Sequence, residues 1–161
     1  MGETKDSADP QGLPEVLSRV AARFPGVLLE TSTDKDETTA VVPAELIVEI
    51  CRFLKEEPGL EYVFLVDLCA IHWVECEYSY EVVYLLDSFV RNDRIRLKVR
   101  LGEEGRVATM TGVFPGANWH EREAYDLVGV VFEGHPDLRR ILMPDDYDAF
   151  PLRRDFPLKG Y

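Results

Sequence analysis

The densest grouping of side chains able to do chemistry lies between residues 119 and 143. Trp119, His120, Glu121, Arg122, Glu123, Tyr125 and Asp126 come first, then Gly129 and Gly134, then His135, Asp137, Arg139 and Arg140. Carboxylates near a histidine are the raw material of general acid–base catalysis and of metal ligation. Spacing decides whether that material is usable. Glu121 and Glu123 are two apart, so on a helix they point in different directions and make no ready acid–base pair. Glu121 and Tyr125 are four apart, as are Arg122 and Asp126, and the second spacing favours an ion pair within the helix. His72, His120 and His135 are scattered, with no second ligand on the same helical face. The glycines at 112, 116, 129 and 134 form neither a dinucleotide fingerprint nor a phosphate loop. A free-standing hydrolase or transferase built on Glu121, Glu123 and His135 would lack a nucleophile, base and orienting group in sequence. The expectation is therefore no catalytic, cofactor-binding or metal-binding residue in this chain.

Arginines suggest another use. Arg139 and Arg140, and later Arg153 and Arg154, alternate with Asp137, Asp145, Asp146 and Asp155. Mixed charge on an irregular segment suits a protein interface, where guanidinium forks grip carboxylates.

Composition narrows the classes further. The chain has 161 residues, 46% of them hydrophobic, with 30 acids against 18 bases and a net charge of −12. That balance opposes binding to double-stranded nucleic acid over most of the surface. Cys51, Cys69 and Cys76 are widely spaced and make no Cys-x-x-Cys motif. Three thiols cannot complete a four-thiolate iron–sulfur site, and mostly buried, reduced cysteines are expected. No stretch approaches the roughly 18 uninterrupted apolar residues of a membrane-crossing helix. Residues 1–12 are polar and acidic, without the apolar run of a signal peptide, and are expected to form a flexible leader.

The elements that would position these groups follow from periodicity. Leu13, Val16, Leu17, Val20 and Phe24 recur at helical spacing until Pro25 and Gly26. Residues 27–29 read as a short strand, 31–39 as a polar loop or hairpin tip, and 40–42 as a strand pairing back onto the first. Pro43 opens a second helix with Leu46, Ile47, Ile50, Cys51 and Leu54 on one stripe, and Pro58 and Gly59 end it. Residues 60–70 suit a central strand. Tyr78, Tyr80, Val82, Tyr84 and Leu86 alternate as a further strand, after a connection at 73–77.

The clearest alternation is Ile95, Leu97, Val99 and Leu101 against Arg94, Arg96, Lys98 and Arg100. One face of this strand is core. The basic face either meets an anionic partner or pairs across the sheet with Glu77 and Glu81. Residues 107–110 form a last short strand. The fold class predicted is α+β: a mostly antiparallel sheet covered by two helices on one face, plus a C-terminal helix and an extended arm. Asn118 is the expected N-cap of that helix, Glu121 its capping-box partner and Gly129 its stop. Beyond Glu133, Pro136, Pro144, Pro151 and Pro157 punctuate a segment too irregular to own a core, which must lie on another surface. The division is thus a leader (1–12), a body (13–111), and a signature helix with a docking arm (112–161).

Three motifs in order carry a resemblance: EREAYDLVG at 121–129, FEGHPDLRRILMPDD at 132–146 and PLRRDFPL at 151–158. Together they resemble the 30 kDa-type subunit of respiratory complex I, which is the C-type polypeptide of bacterial NADH-quinone oxidoreductase and the J-type polypeptide of the chloroplast-type enzyme. Tyr80 to Leu86 and Arg94 to Val99 resemble the family as well. His120, Val128, Ala149 and Phe150 depart from its common pattern without removing a charge. The resemblance implies a structural and assembly subunit of the peripheral arm of a proton-pumping NADH:quinone oxidoreductase. It would hold no cofactor itself. NADH, flavin, iron–sulfur clusters and quinone would belong to partners, foremost the 49 kDa-type (D-type) partner and neighbouring iron–sulfur subunits. The complex would lie on the cytoplasmic face of the plasma membrane. The residues implied in docking are Trp119, Glu121, Arg122, Glu123, Asp126, Gly129, Gly134, His135, Arg139, Arg140, Pro151, Arg153, Arg154, Asp155 and Phe156. A related energy-converting hydrogenase, or a dehydrogenase using another donor, is the alternative.

Overall fold

Alternating apolar residues pair into a sheet because each strand must bury one face. The computed structural model describes residues 13–35 and 37–157. In it, five strands lie in the order β1 (Glu30–Asp34), β2 (Glu37–Val41), β5 (Asp93–Leu101), β4 (Tyr80–Ser88) and β3 (Phe64–His72). The β1–β2, β3–β4 and β4–β5 pairings are antiparallel, and β2 runs parallel to β5. The fold is mixed α+β with a mainly antiparallel sheet, as the sequence predicts. The leader at 1–12 lies outside the described residues.

One face of the sheet forms the core. Tyr84, Leu86, Ile95, Leu97 and Val99 are fully buried there. They share one cluster with Val16, Leu17 and Val20 of α1 (Glu15–Arg23) and Ile50 and Leu54 of α2 (Ile47–Glu56). The same cluster takes in Ala117, Ala124 and Val128 of α3 (Ala117–Val128).

The other face settles the basic stripe. Arg94 bonds Asp87, Arg96 meets Glu37, Lys98 bonds Glu81 and Arg100 grips Glu30 with two nitrogens at 2.6 and 2.7 Å. Each basic side chain is matched by an acid of β1, β2 or β4, so the stripe is a cross-strand lattice rather than an anion site. Glu81 is among the partners, as expected; Glu77 is not.

Several expectations change. The segment at 31–39 belongs to a hairpin but is more than its tip: its residues supply most of β1 and β2. β1 is polar because it is an edge with little buried surface, and in β2 a threonine, Thr38, takes one of the buried positions, so no apolar alternation marks either strand. The expected strand at 27–29 only leads into β1, with the Leu29 N–H donating to the Val41 carbonyl at 2.9 Å. β3 stands at the sheet edge, not its centre, and β5 is central. The apolar run of β3 reflects packing against α3 instead of burial between two strands. The strand near 107 is β6 (Arg106–Ala108), which leaves the main sheet and pairs in parallel with β7 (Val131–Glu133). Cys69 and Cys76 are exposed; only Cys51 is buried. Among the described residues no helix is long and apolar enough to cross a membrane.

Because Leu97 is buried at the sheet's centre and Arg96 is a surface pair member, the two positions separate sharply. Leu97→Ala is expected to lower unfolding free energy by about 2–5 kcal/mol, and Arg96→Ala by about 0–1 kcal/mol, both read from urea denaturation.

Candidate functional site

Helix α3 organises the charged region, and its ends explain its length. Gly116 precedes it without a side-chain cap. Asn118 is not its N-cap, and Glu121 makes no capping box; the helix begins earlier and Glu121 is held elsewhere. At the other end Gly129 adopts φ 91°, and its N–H donates to the Ala124 and Tyr125 carbonyls. That left-handed turn ends the helix as expected.

Two carboxylates on α3 are wholly buried, Glu121 and Asp126, and they face different surroundings. Glu121 points toward the loop after β6. Its Oε1 accepts the Met110 N–H at 2.5 Å and its Oε2 lies 2.5 Å from the Thr109 hydroxyl. Burial pushes its carboxyl up to about 7, against the downward pull of those two contacts. His135 has a fully buried side chain 3.9 Å from Glu121. Its Nδ1 accepts the Asp137 N–H at 3.0 Å, so the ring proton sits on Nε2, directed at the Asn118 carbonyl at 3.2 Å. Gly134, at φ 81°, lets the chain turn beside Thr109.

Asp126 takes the opposite course. Its Oδ1 accepts from Arg140 at 2.7 Å, and its Oδ2 accepts three successive backbone N–H groups, Ile141, Leu142 and Met143, at 3.0, 2.6 and 2.9 Å. Burial would raise this carboxyl, but the amides and the guanidinium together hold it below the ordinary carboxylate range. The expected Arg122–Asp126 pair therefore does not form. An exposed pair at that spacing gives only about 0.2–0.5 kcal/mol, and Asp126 has stronger, charge-assisted partners. Arg122 instead donates to the Arg139 and Arg140 carbonyls at 3.3 and 3.1 Å and lies over the Trp119 ring.

The arm is thus laid along its own helix. Arg140 also donates to the Asp126 and Ala149 carbonyls and faces the Tyr147 and Phe150 rings. The Leu152 N–H reaches the Leu127 carbonyl, and Arg153 donates to the Val128 carbonyl at 2.8 Å. Arg153 stacks on Phe150 and approaches Tyr80. Gly129 makes room for this: a Cβ there would stand 2.7 Å from Arg153 Nη2 and 3.1 Å from the Phe150 ring. Pro151 is half-buried between these contacts. Arg154 lies over Trp73, Asp155 faces His72 at 3.6 Å, and the Phe156 N–H donates to the Arg153 carbonyl.

The structure brings some of the residues singled out in the sequence together and leaves others apart. Arg122, Asp126, Gly129, Arg140 and Arg153 converge. Glu121, Gly134 and His135 gather around Thr109. Trp119 (62% exposed), Glu123 and Arg139 point outward. The Arg139 side chain bonds its neighbour Asp137. His72, Trp73, Tyr80 and Phe150 are arm contacts that sequence reasoning misses. For the first three the only signal is an aromatic concentration at 72–80, and nothing in the spacing marks Phe150. No three His, Cys, Asp or Glu side chains converge as metal ligands among the described residues.

Comparison with known proteins places this geometry. Residues 40–161 match the family described as the respiratory-chain NADH dehydrogenase 30 kDa subunit. The C 2 polypeptide of NADH-quinone oxidoreductase from Rhizobium meliloti (strain 1021) is 48% identical over 149 residues, spanning 92% of this chain and 81% of the relative. The C polypeptide of the same enzyme from Roseiflexus castenholzii is 46% identical over 146 residues, spanning 90% and 84%. A trypsin-resistant fragment (1-134) of Nqo5 superposes with a TM-score of 0.66 at 30% identity, covering 76% of this chain and 96% of that one. A chain in the structure of the membrane-bound sulfane sulfur reductase, an archaeal respiratory membrane complex, gives 0.74 at 25% identity, covering 89% and 85%.

Glu121 yields a pH test. Its folded pKa lies above its unfolded value, so its stability contribution is best below the unfolded pKa and declines as pH rises from about 4.5 toward 7. Glu121→Gln keeps the shape without the charge. Urea unfolding from pH 4.5 to 7.5 is expected to show the native chain losing stability relative to this variant as pH rises. Parallel profiles would contradict the assignment.

Proposed function

Because the chain belongs to the family of the respiratory-chain NADH dehydrogenase 30 kDa subunit, we propose that it acts as a non-catalytic structural and assembly subunit of an NADH:quinone oxidoreductase. It docks the 49 kDa-type partner and neighbouring iron–sulfur subunits in the peripheral arm of the complex. NADH, flavin, iron–sulfur clusters and quinone belong to those partners. The complex sits on the cytoplasmic face of the plasma membrane.

The observation that carries this reading is the arm held on α3. Glu121 and Asp126, the side chains most suggestive of catalysis, are buried with their oxygens already occupied. Their bonds arrange the chain instead of meeting a substrate. Trp119, Ile141, Leu142 and Leu152 remain exposed, and the Arg139 side chain faces outward. Exposed aromatic and aliphatic anchors with an arginine at the rim are the makings of a protein contact.

A second reading has a specific observation behind it. The likeness to a chain of a sulfane sulfur reductase complex supports use of this fold with another electron acceptor. Whether the complex recovered with the tagged chain reduces quinone or sulfane sulfur separates the two.

Arg140 is engaged internally, so Arg139 is the cleaner variant for the interface. Trp119→Glu, Leu142→Glu and Arg139→Glu are each expected to leave the unfolding midpoint unchanged. At a hot spot, loss of an anchor costs about 2 kcal/mol or more, so at least one should cut copurification of the 49 kDa-type partner about tenfold or more. Unimpaired recovery with all three would sink the proposed surface.

A further inference from the structure

One edge of the main sheet is open. β3 is last in the strand order and pairs with β4 alone. Its other side has no backbone partner among the described residues. Such an edge presents N–H and C=O groups that template another strand, and proteins commonly blunt or cover it. Here the blunting is partial. The register slips between Leu65 and Asp67, and α3 packs alongside. A cavity of about 170 Å³ remains between helix and edge.

The residues around this cavity locate it. Four consecutive β3 residues, 67–70, border it. Successive strand side chains point to opposite faces, so all four can border one cavity only at the strand's edge, where the backbone is accessible. Leu127 and Glu123 of α3 stand opposite, and Leu152 of the arm closes one end.

The charges at the rim distinguish this groove from the rest of the sheet. Along β5, acids of the neighbouring strands are each matched by an arginine or lysine. Asp67 and Glu123 are both exposed, and neither has such a partner among the described residues. The His120 ring lies 3.3 Å from Asp67, and on the sheet face Asp67 borders a cavity it shares with Arg96 and Lys98 without an ion pair to either. Between the two carboxylates the floor is apolar, with Leu68 and Ala124 buried and Leu127 half-buried.

We propose that the groove between β3 and α3 receives an extended segment of a partner subunit, which adds a sixth strand to the sheet. A lysine or arginine of that segment lies between Asp67 and Glu123, and an apolar side chain rests over Leu68 and Leu127. Backbone bonds to β3 supply affinity, and the alternating side chains supply selectivity. This inference rests on the reading of the chain as an assembly subunit, and adds the chemistry of one partner segment.

Hydrogen exchange, measured on the chain alone and on the complex recovered with it, tests the groove. The β3 amides that do not bond β4 are expected to exchange at least tenfold more slowly in the complex. The paired reversal Asp67→Lys with Glu123→Lys is expected to lower retention of the chain in the complex at least tenfold, with its unfolding midpoint unchanged. Edge amides that exchange equally fast in a complex retaining the chain overturn the groove and leave the assembly reading standing. Retention indifferent to the charge reversal overturns the basic segment. Protection of the edge in the chain alone, rising with concentration, assigns the groove to a second copy and overturns the proposal. Recovery of no complex at all sinks both readings.

Discussion

The Asp126 carboxylate is the contact on which the C-terminal segment depends. It is fully buried and accepts from one guanidinium and three consecutive amides. A carboxylate without such partners would be costly to bury. Conversely, residues 139–143 have no strand or helix to absorb their backbone groups, and Asp126 and Arg122 take up five of them. The dependence is mutual: the arm makes the buried charge tolerable, and the charge makes an irregular arm orderly. Arg140 extends the hold to the Ala149 carbonyl, and Arg153 fastens the next turn at Val128.

That arrangement gives α3 two faces with opposite electrostatics. Toward the β6 loop, Glu121 sits among a hydroxyl, an amide and a histidine that bonds backbone groups through both ring nitrogens, and burial favours its neutral form. Toward the arm, Asp126 stays charged. The pair looks like an acid and a base with separated pKa values, a pattern often found at reaction centres. The separation has a structural cause instead. One carboxyl faces a hydroxyl and a single amide, and the other faces a guanidinium and three amides.

Much of the fold is legible in the sequence because burial imposes a period. β4 and β5 bury one full face, so Tyr84, Leu97 and their neighbours alternate cleanly. β1 escapes notice because an exposed edge strand needs no alternation, and β2 is legible only at its Ala40–Val41 end because its other residues are polar. The apolar run of β3 suggests burial between strands, whereas β3 is an edge strand that buries Leu65 and Leu68 in the core and has α3 packed alongside. The charged region is legible in membership only. Its spacing points to Arg122 with Asp126, but sequence separation does not reveal a partner such as Arg140, brought in by a turn at Gly134. Nor does it reveal that Gly129 serves twice, ending α3 and leaving room for Arg153.

In the function we propose, these acids and bases fasten the chain and perform no step of electron transfer. Asp126→Asn in the intact complex tests it most directly, since breaking a buried pair costs about 3–5 kcal/mol. The quantities to measure are the amount of assembled complex and the NADH:quinone turnover per assembled complex. Assembly is expected to fall severalfold or more while turnover per assembled complex is unchanged. Normal assembly with turnover lost would contradict it.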